Sequence, residues 1–121
     1  MKEVPQDKER EARIAMEAVV DAYGEEERAS GWYYYLEEKL TFPFRAKCIS
    51  RRMISPLIVS DEVEVVAMEL EESEHEMFVQ VRWSERDFAV PLSQLYPIEP
   101  DVQSQEAIED WHYWVARNYI F

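Results

Sequence analysis

The apolar residues change their period at Pro43, and that change limits the fold more than any other feature. Before it, apolar side chains return every three or four positions. Ile14, Ala15, Ala18, Val19 and Ala22 form one stripe at helical spacing, with Arg13, Glu17 and Asp21 opposite. Ala29, Trp32, Tyr33, Leu36 and Leu40 form a second. The spacing predicts a helix over 7–23, a stop at Gly24 through a left-handed conformation, and a second helix over 25–40. The short junction makes the two an antiparallel or angled pair.

After Pro43 the pattern changes. FRAKCIS, DEVEVVAMEL, MFVQVRW and DFAVPL mix Val and Phe with alternating polar residues, and read as strands. SPLIVSD, EESEHE and WSERD lie between them as turns. Short strands without intervening helices predict an antiparallel sheet that curls on itself. PLSQLYPI adds a tight turn and a last short strand, a pattern also found in SH3-like barrels. Residues 103–117 then regain a helical period. Ile108, Trp111, Trp114 and Val115 point inward, and Asp101, Glu106, Glu109 and Asp110 make an acidic N-terminal turn that suits the helix dipole. The expected class is α+β in a single domain over 1–121: an N-terminal helical pair over about 7–40, a small antiparallel SH3-like β-barrel or curled sheet over about 43–98, and a C-terminal helix over about 103–117.

A chain of 121 residues that is 47% hydrophobic can bury a core without staples. Its charge is one-sided, with 26 acids against 13 Lys and Arg, a net of -13. Such a surface repels nucleic acid and anionic lipid, and favours cations or a basic protein as partners. Cys48 is the only cysteine, which fits a reducing compartment. The N-terminal stretch MKEVPQDKEREARIA has no apolar signal core, and no apolar run approaches the roughly 20 residues of a membrane span. The expectation is a cytoplasmic protein with no membrane and no nucleic-acid partner.

Catalytic signatures are missing. His75, His112 and Cys48 are scattered, without zinc spacing. GxSxG and a P-loop are absent, and Gly24 and Gly31 are the only glycines. The chain reads as a non-enzyme.

The carboxylates remain. GEEERASGWYYYLEEKL, residues 24–40, opens with Glu25, Glu26 and Glu27 and closes with Glu37 and Glu38. Glutamates at a helix N-terminus are ordinary decoration. Glu17 and Asp21, four apart and of one sign, add to the local excess, and several oxygen donors in one place also suit a hard cation. An EF-hand is excluded. Gly31 at its sixth position would place Arg28 third, where a cation cannot be a ligand. A second acidic run, MELEESEHEMF, spans a hairpin tip with Glu69, Glu71, Glu72, Glu74 and Glu76; it serves either as a solvated tip or as a weak cation site.

GWYYYLEEKLTFPFRAKCI, DEVEVVAM, EHEMFVQVRW, FAVPLSQLYPI and EAIEDWHYW occur in this order, and together they resemble the cyanobacterial calcium-binding protein family, CcbP, from about Arg10 to Trp114. The resemblance implies an acidic cytoplasmic protein that binds Ca2+ without EF-hands. In filamentous cyanobacteria the family is associated with calcium buffering during heterocyst development. The family's second helix often ends Leu-Glu-Asp-Lys-Leu, where this chain has Glu38 in the aspartate position. With the resemblance, Glu38, Glu37, Glu26 and Glu27 are the first candidates for calcium ligands, and Asp21, Glu25, Glu72 and Glu74 come next. The expected function is calcium buffering or sensing through clustered carboxylates. The alternative is an acidic SH3-like module that binds a basic peptide or protein, with Tyr34 and Tyr35 as the residues to watch.

Overall fold

The computed structural model describes residues 5–20, 22, 24–69, 76–117 and 119. Helix α1, Lys8–Arg13, starts at Asp7, whose carboxylate accepts the Arg10 amide at 2.9 Å. It widens into a π turn over Ile14–Ala18, in which the Val19 amide reaches back to Ile14 at 3.0 Å, and helical geometry ends at Val19. The first helix therefore closes earlier than its apolar stripe suggests. Gly24 takes no left-handed conformation; at φ -132° it is the extended residue that precedes helix α2, Glu25–Lys39.

Gly31 shows why the two segments fit. A Cβ there would lie 2.1 Å from the Ala18 carbonyl oxygen. Only glycine lets α2 come this close to the π turn. Trp32, Tyr35, Leu36 and Leu40 are buried, while Ala29 and Tyr33 pack at the edge and Tyr34 is 64% exposed. The burial of α2 is thus rotated slightly from its expected stripe, because Tyr35 points into the core.

Strands β1 (Phe44–Cys48), β2 (Glu62–Met68), β3 (Phe78–Trp83), β4 (Arg86–Pro91) and β5 (Leu95–Pro97) form one antiparallel sheet in the order β4-β3-β2-β1-β5. Alternation fixes its face: Ala46 and Cys48, Val63 and Val65, and Val79 and Val81 turn inward. The register of β2 against β3 slips between Val65 and Ala67, a bulge that bends the sheet. Ser84 and Glu85, both at positive φ, turn β3 into β4. A 3-10 turn over Leu92–Gln94 leads to β5, as PLSQLYPI predicts.

The sheet is open. Among the described residues β4 and β5 do not pair, so hydrogen bonding closes no barrel. Strand β5 has three residues, is engaged on β1, and ends in a proline that cannot donate.

The long connection between β1 and β2 is more than a turn. The Ile49 amide donates to the Gln94 carbonyl at 2.8 Å, Gln94 Nε2 donates to the Leu57 carbonyl at 3.4 Å, and Leu57 is fully buried. Helix α3, Val102–Ala116, is capped by Asp101, which accepts the Ser104 amide at 2.7 Å. It packs Trp111 edge-on against Trp32 at 5.0 Å, with Trp114 at 5.5 Å from the same ring.

Candidate metal centre

Helix α2 carries five of the candidate ligands, and its geometry divides them. Glu25, Glu26 and Glu27 lie in the first turn, and Glu37 and Glu38 near the last. At about 1.5 Å of rise per residue, Glu27 and Glu37 are separated by roughly 15 Å along the axis. Calcium holds oxygens at about 2.3–2.6 Å, so no single ion spans both groups. The expected four-carboxylate cluster of Glu26, Glu27, Glu37 and Glu38 is therefore two groups. Among the described residues, no three His, Cys, Asp or Glu side chains converge.

In the first group, Glu26 and Glu27 are exposed and, with Val20, Ala22 and Ser30, line an open cleft of about 360 Å3. Asp21 lies outside the described residues. Glu17, expected to add uncompensated charge, is instead 3.5 Å from Lys39 Nζ.

The second group has more structure around it. Tyr33 donates its hydroxyl to Glu37 Oε2 at 2.9 Å, one helical turn away. Burial, then the bond to Glu37 and the nearby charges of Glu37 and Glu69, push the Tyr33 phenol up to about 12. Glu69 stands where the chain leaves β2, its amide bonded to the Phe78 carbonyl at 3.0 Å and its carboxylate taking a bond from Gln80 at 3.2 Å. Glu37 thus bonds the phenol, and the charge of Glu69 at the hairpin root also acts on it. The sequence offers Glu69 only as one acid of the hairpin run and Tyr33 only as part of an apolar stripe; the i, i+4 spacing of Tyr33 and Glu37 is the local signal of their bond. Glu38 is exposed beside them. Glu72 and Glu74, on the same hairpin, lie outside the described residues. Glu76 is committed elsewhere: Arg52 grips both of its oxygens at 2.6 and 2.9 Å, and Ser93 adds a bond at 3.1 Å.

Asp110 departs furthest from expectation. The sequence sets Asp110 in an acidic N-terminal turn, yet it lies in the middle of α3 and is fully buried. Arg10 Nη1 donates to it at 2.7 Å, Arg13 donates twice at 2.6 and 2.9 Å, and Tyr35 donates at 2.8 Å. Three helices meet there. Burial first, then the bond to Asp110, raise the Tyr35 phenol above its ordinary range. The same carboxylate holds the Arg13 guanidinium firmly charged. This acid is spoken for and has no room for a metal.

Histidine and cysteine are likewise engaged. His112 Nε2 donates to the Leu95 carbonyl at 2.8 Å, and burial lowers its pKa. The Cys48 thiol is buried and donates to the Ser50 carbonyl at 3.1 Å.

Residues 12–115 match the model of a calcium-binding family, Calci_bind_CcbP. The chain is similar to the crystal structure of Anabaena CcbP, with 41% identity over 100% of both chains and a TM-score of 0.86. It is also similar to a calcium binding protein in the calcium-binding form, at 39% identity over 100% of both chains and a TM-score of 0.83. Among curated protein sequences none matches. With a family match over most of its length and full-length structural likeness at this identity, the chain belongs to the CcbP family of calcium-binding proteins.

Proposed function

We propose that this chain buffers or senses calcium in the cytoplasm, and that its primary site lies between the end of α2 and the β2–β3 hairpin. The observation that carries the proposal is Tyr33, whose phenol answers to Glu37 on the helix and to Glu69 at the hairpin root. Glu37 bonds that phenol directly and the charge of Glu69 also reaches it, so the hairpin root lies within the electrostatic neighbourhood of the helix end. Glu37 and Glu38 supply the helix ligands, and Glu72 and Glu74 the hairpin ligands. All are hard oxygen donors, the class calcium takes, and water fills the remaining positions. Glu26 and Glu27, with Glu25 and Asp21, form a second and weaker site at the other end of the helix. Exposed sites of this kind bind at about micromolar to millimolar concentration. Calcium supplies charge neutralisation here and no chemistry, in keeping with a non-enzymatic role. A single buried, reduced cysteine supports the cytoplasmic assignment.

Calorimetric titration with calcium, repeated with magnesium and at higher salt, tests this reading. Calcium should release or absorb heat and raise Tm by mass action, whereas magnesium, which demands rigid octahedral geometry, should compete poorly. Glu37→Gln with Glu38→Gln should remove the stronger binding, and Glu26→Gln with Glu27→Gln should leave it. The absence of both heat and thermal shift at millimolar calcium would sink the proposal.

A second reading, an acidic SH3-like module for a basic peptide or protein, draws support from the strand order and from Tyr34, which is exposed on α2. Calcium-independent binding of a basic peptide, lost in Tyr34→Ala, would favour it.

A further inference from the structure

The connection between β1 and β2 is unlike the rest of the surface in two respects. It continues a basic stretch: residues 41–60, which take in β1, hold Arg45, Lys47, Arg51 and Arg52 and no acid, and Asp61 closes the connection. The other residues carry 9 basic against 26 acidic side chains, a net of -17. It is also apolar where it meets solvent. Met53 is 102% exposed, and Ile54, Ile58 and Val59 are each more than half exposed. Arg52 and Arg45 have carboxylate partners in Glu76 and Glu62. Arg51 and Lys47 are exposed and have no ion pair among the described residues.

The connection is nevertheless held in place. Leu57 is buried beneath it, Gln94 ties its backbone to the 3-10 turn, and Arg52 ties it to Glu76 and Ser93. A braced loop that exposes four large apolar side chains between residues 53 and 59, beside an arginine with no ion pair among the described residues, has the make-up of an interaction surface.

The same chain bears a complementary surface. The cleft beside the start of α2 exposes Val20, at 55%, between Glu26 and Glu27. Both glutamates lack an ion pair among the described residues. Its volume of about 360 Å3 accommodates one long apolar side chain such as Met53.

We infer that the loop of one copy docks onto this acidic cleft of a second copy, with Met53 against Val20 and Arg51 facing Glu26 and Glu27. The two surfaces differ, so the contact is head-to-tail and each copy keeps one loop and one cleft available for the next. The contact is small and the molecules share a net negative charge, so association is weak and grows with concentration. The cleft shares Glu26 and Glu27 with the weaker calcium site proposed above but not with the primary one, so the test is run in EDTA, which keeps calcium from competing for them.

Sedimentation velocity should show the average mass of the unaltered chain rising as concentration approaches about 1 mM, the range of weak contacts. Arg51→Glu should remain monomeric, as should Glu26→Lys with Glu27→Lys. A change of sign at a close charge pair should cost at least about tenfold in association. An equimolar mixture of the two variants should associate again, because each then presents the partner the other needs. Met53→Ser with Ile54→Ser should also be monomeric, and Met53 is too exposed for the change to disturb folding. A monomeric unaltered chain at about 1 mM, or a mixture that stays monomeric, overturns the inference. So does a chain that is monomeric alone yet sediments with phosphatidylserine vesicles, which would make lipid the occupant of the loop.

Discussion

Asp110 and the glutamates of α2 are the same chemistry in opposite settings. Asp110 is buried and takes four hydrogen bonds from two arginines and a tyrosine. Glu26, Glu27 and Glu38 are exposed, and Glu37 has one tyrosine as its partner. A buried carboxylate persists as an ion only when its neighbours replace the water it lost. Once they have done so, it is part of the scaffold. An exposed carboxylate keeps its lone pairs for whatever arrives in solution. The difference teaches that the number of acids in this chain says little about how many can take a cation.

The comparison can be broken most directly at Asp110. Asp110→Ala leaves Arg10 and Arg13 without their shared acceptor and should cost about 3–5 kcal/mol. For a domain of this size that lowers Tm by roughly 10–20 °C, which calorimetry reads directly. Calcium affinity, extrapolated to the folded fraction, should hardly change, because the knot and the proposed site share no ligand. A large loss of affinity in the folded protein would join the two regions.

Gly31→Ala strikes a second helix contact, where α2 meets the π turn. The new methyl meets the Ala18 carbonyl oxygen at 2.1 Å, so the backbone must yield. That outweighs the gain of about 1 kcal/mol that alanine brings to a helix interior. A net loss of about 1–2 kcal/mol in urea unfolding is expected. A neutral or stabilised variant would show that α2 and the π turn separate easily.

The exposed acids should behave in the reverse way. Without calcium, Glu37→Gln with Glu38→Gln should alter stability by no more than about 0.5 kcal/mol. Its effect should appear only when calcium is added, as the loss of the thermal shift seen in the unaltered protein.

The smallest effect sharpens the boundary between the regions. The Tyr33 phenol titrates near 12 in the fold, above its ordinary 10.0, so the folded state favours its neutral form. That stability is present in full below pH 10 and is lost as pH rises toward 12. Calcium on Glu37 would offset the negative charge that helps raise Tyr33, and ultraviolet titration against Tyr33→Phe should then show the phenol moving down. An unmoved Tyr33 at saturating calcium would place the ion away from Glu37.

Much of this was legible in the chain. Periodicity located α2, α3 and four strands because burial of one face forces an apolar residue back at a fixed interval. It overextended the first helix: the apolar stripe runs on to Ala22, while the backbone widens at Ile14 and stops at Val19. It counted Asp110 in an acidic N-terminal turn that suits the helix dipole, because an acid near a helix start carries no mark of the arginines that will surround it. It also joined Glu26 and Glu27 to Glu37 and Glu38, although the rigid rise of one helix holds the pairs apart.

By itself, then, the sequence determined the order of helices and strands, the acidic character of the surface, and the absence of an EF-hand loop. Each is a property of neighbours along the chain. Tertiary structure alone decided which acids became scaffold and which stayed open, because that depends on groups brought together across about 100 positions, such as Arg10 and Asp110. It also gave Tyr33 to Glu37 as a partner, and turned the apolar side chains of the β1–β2 connection outward. A carboxylate's role follows from its surroundings, and those exist only once the chain has folded.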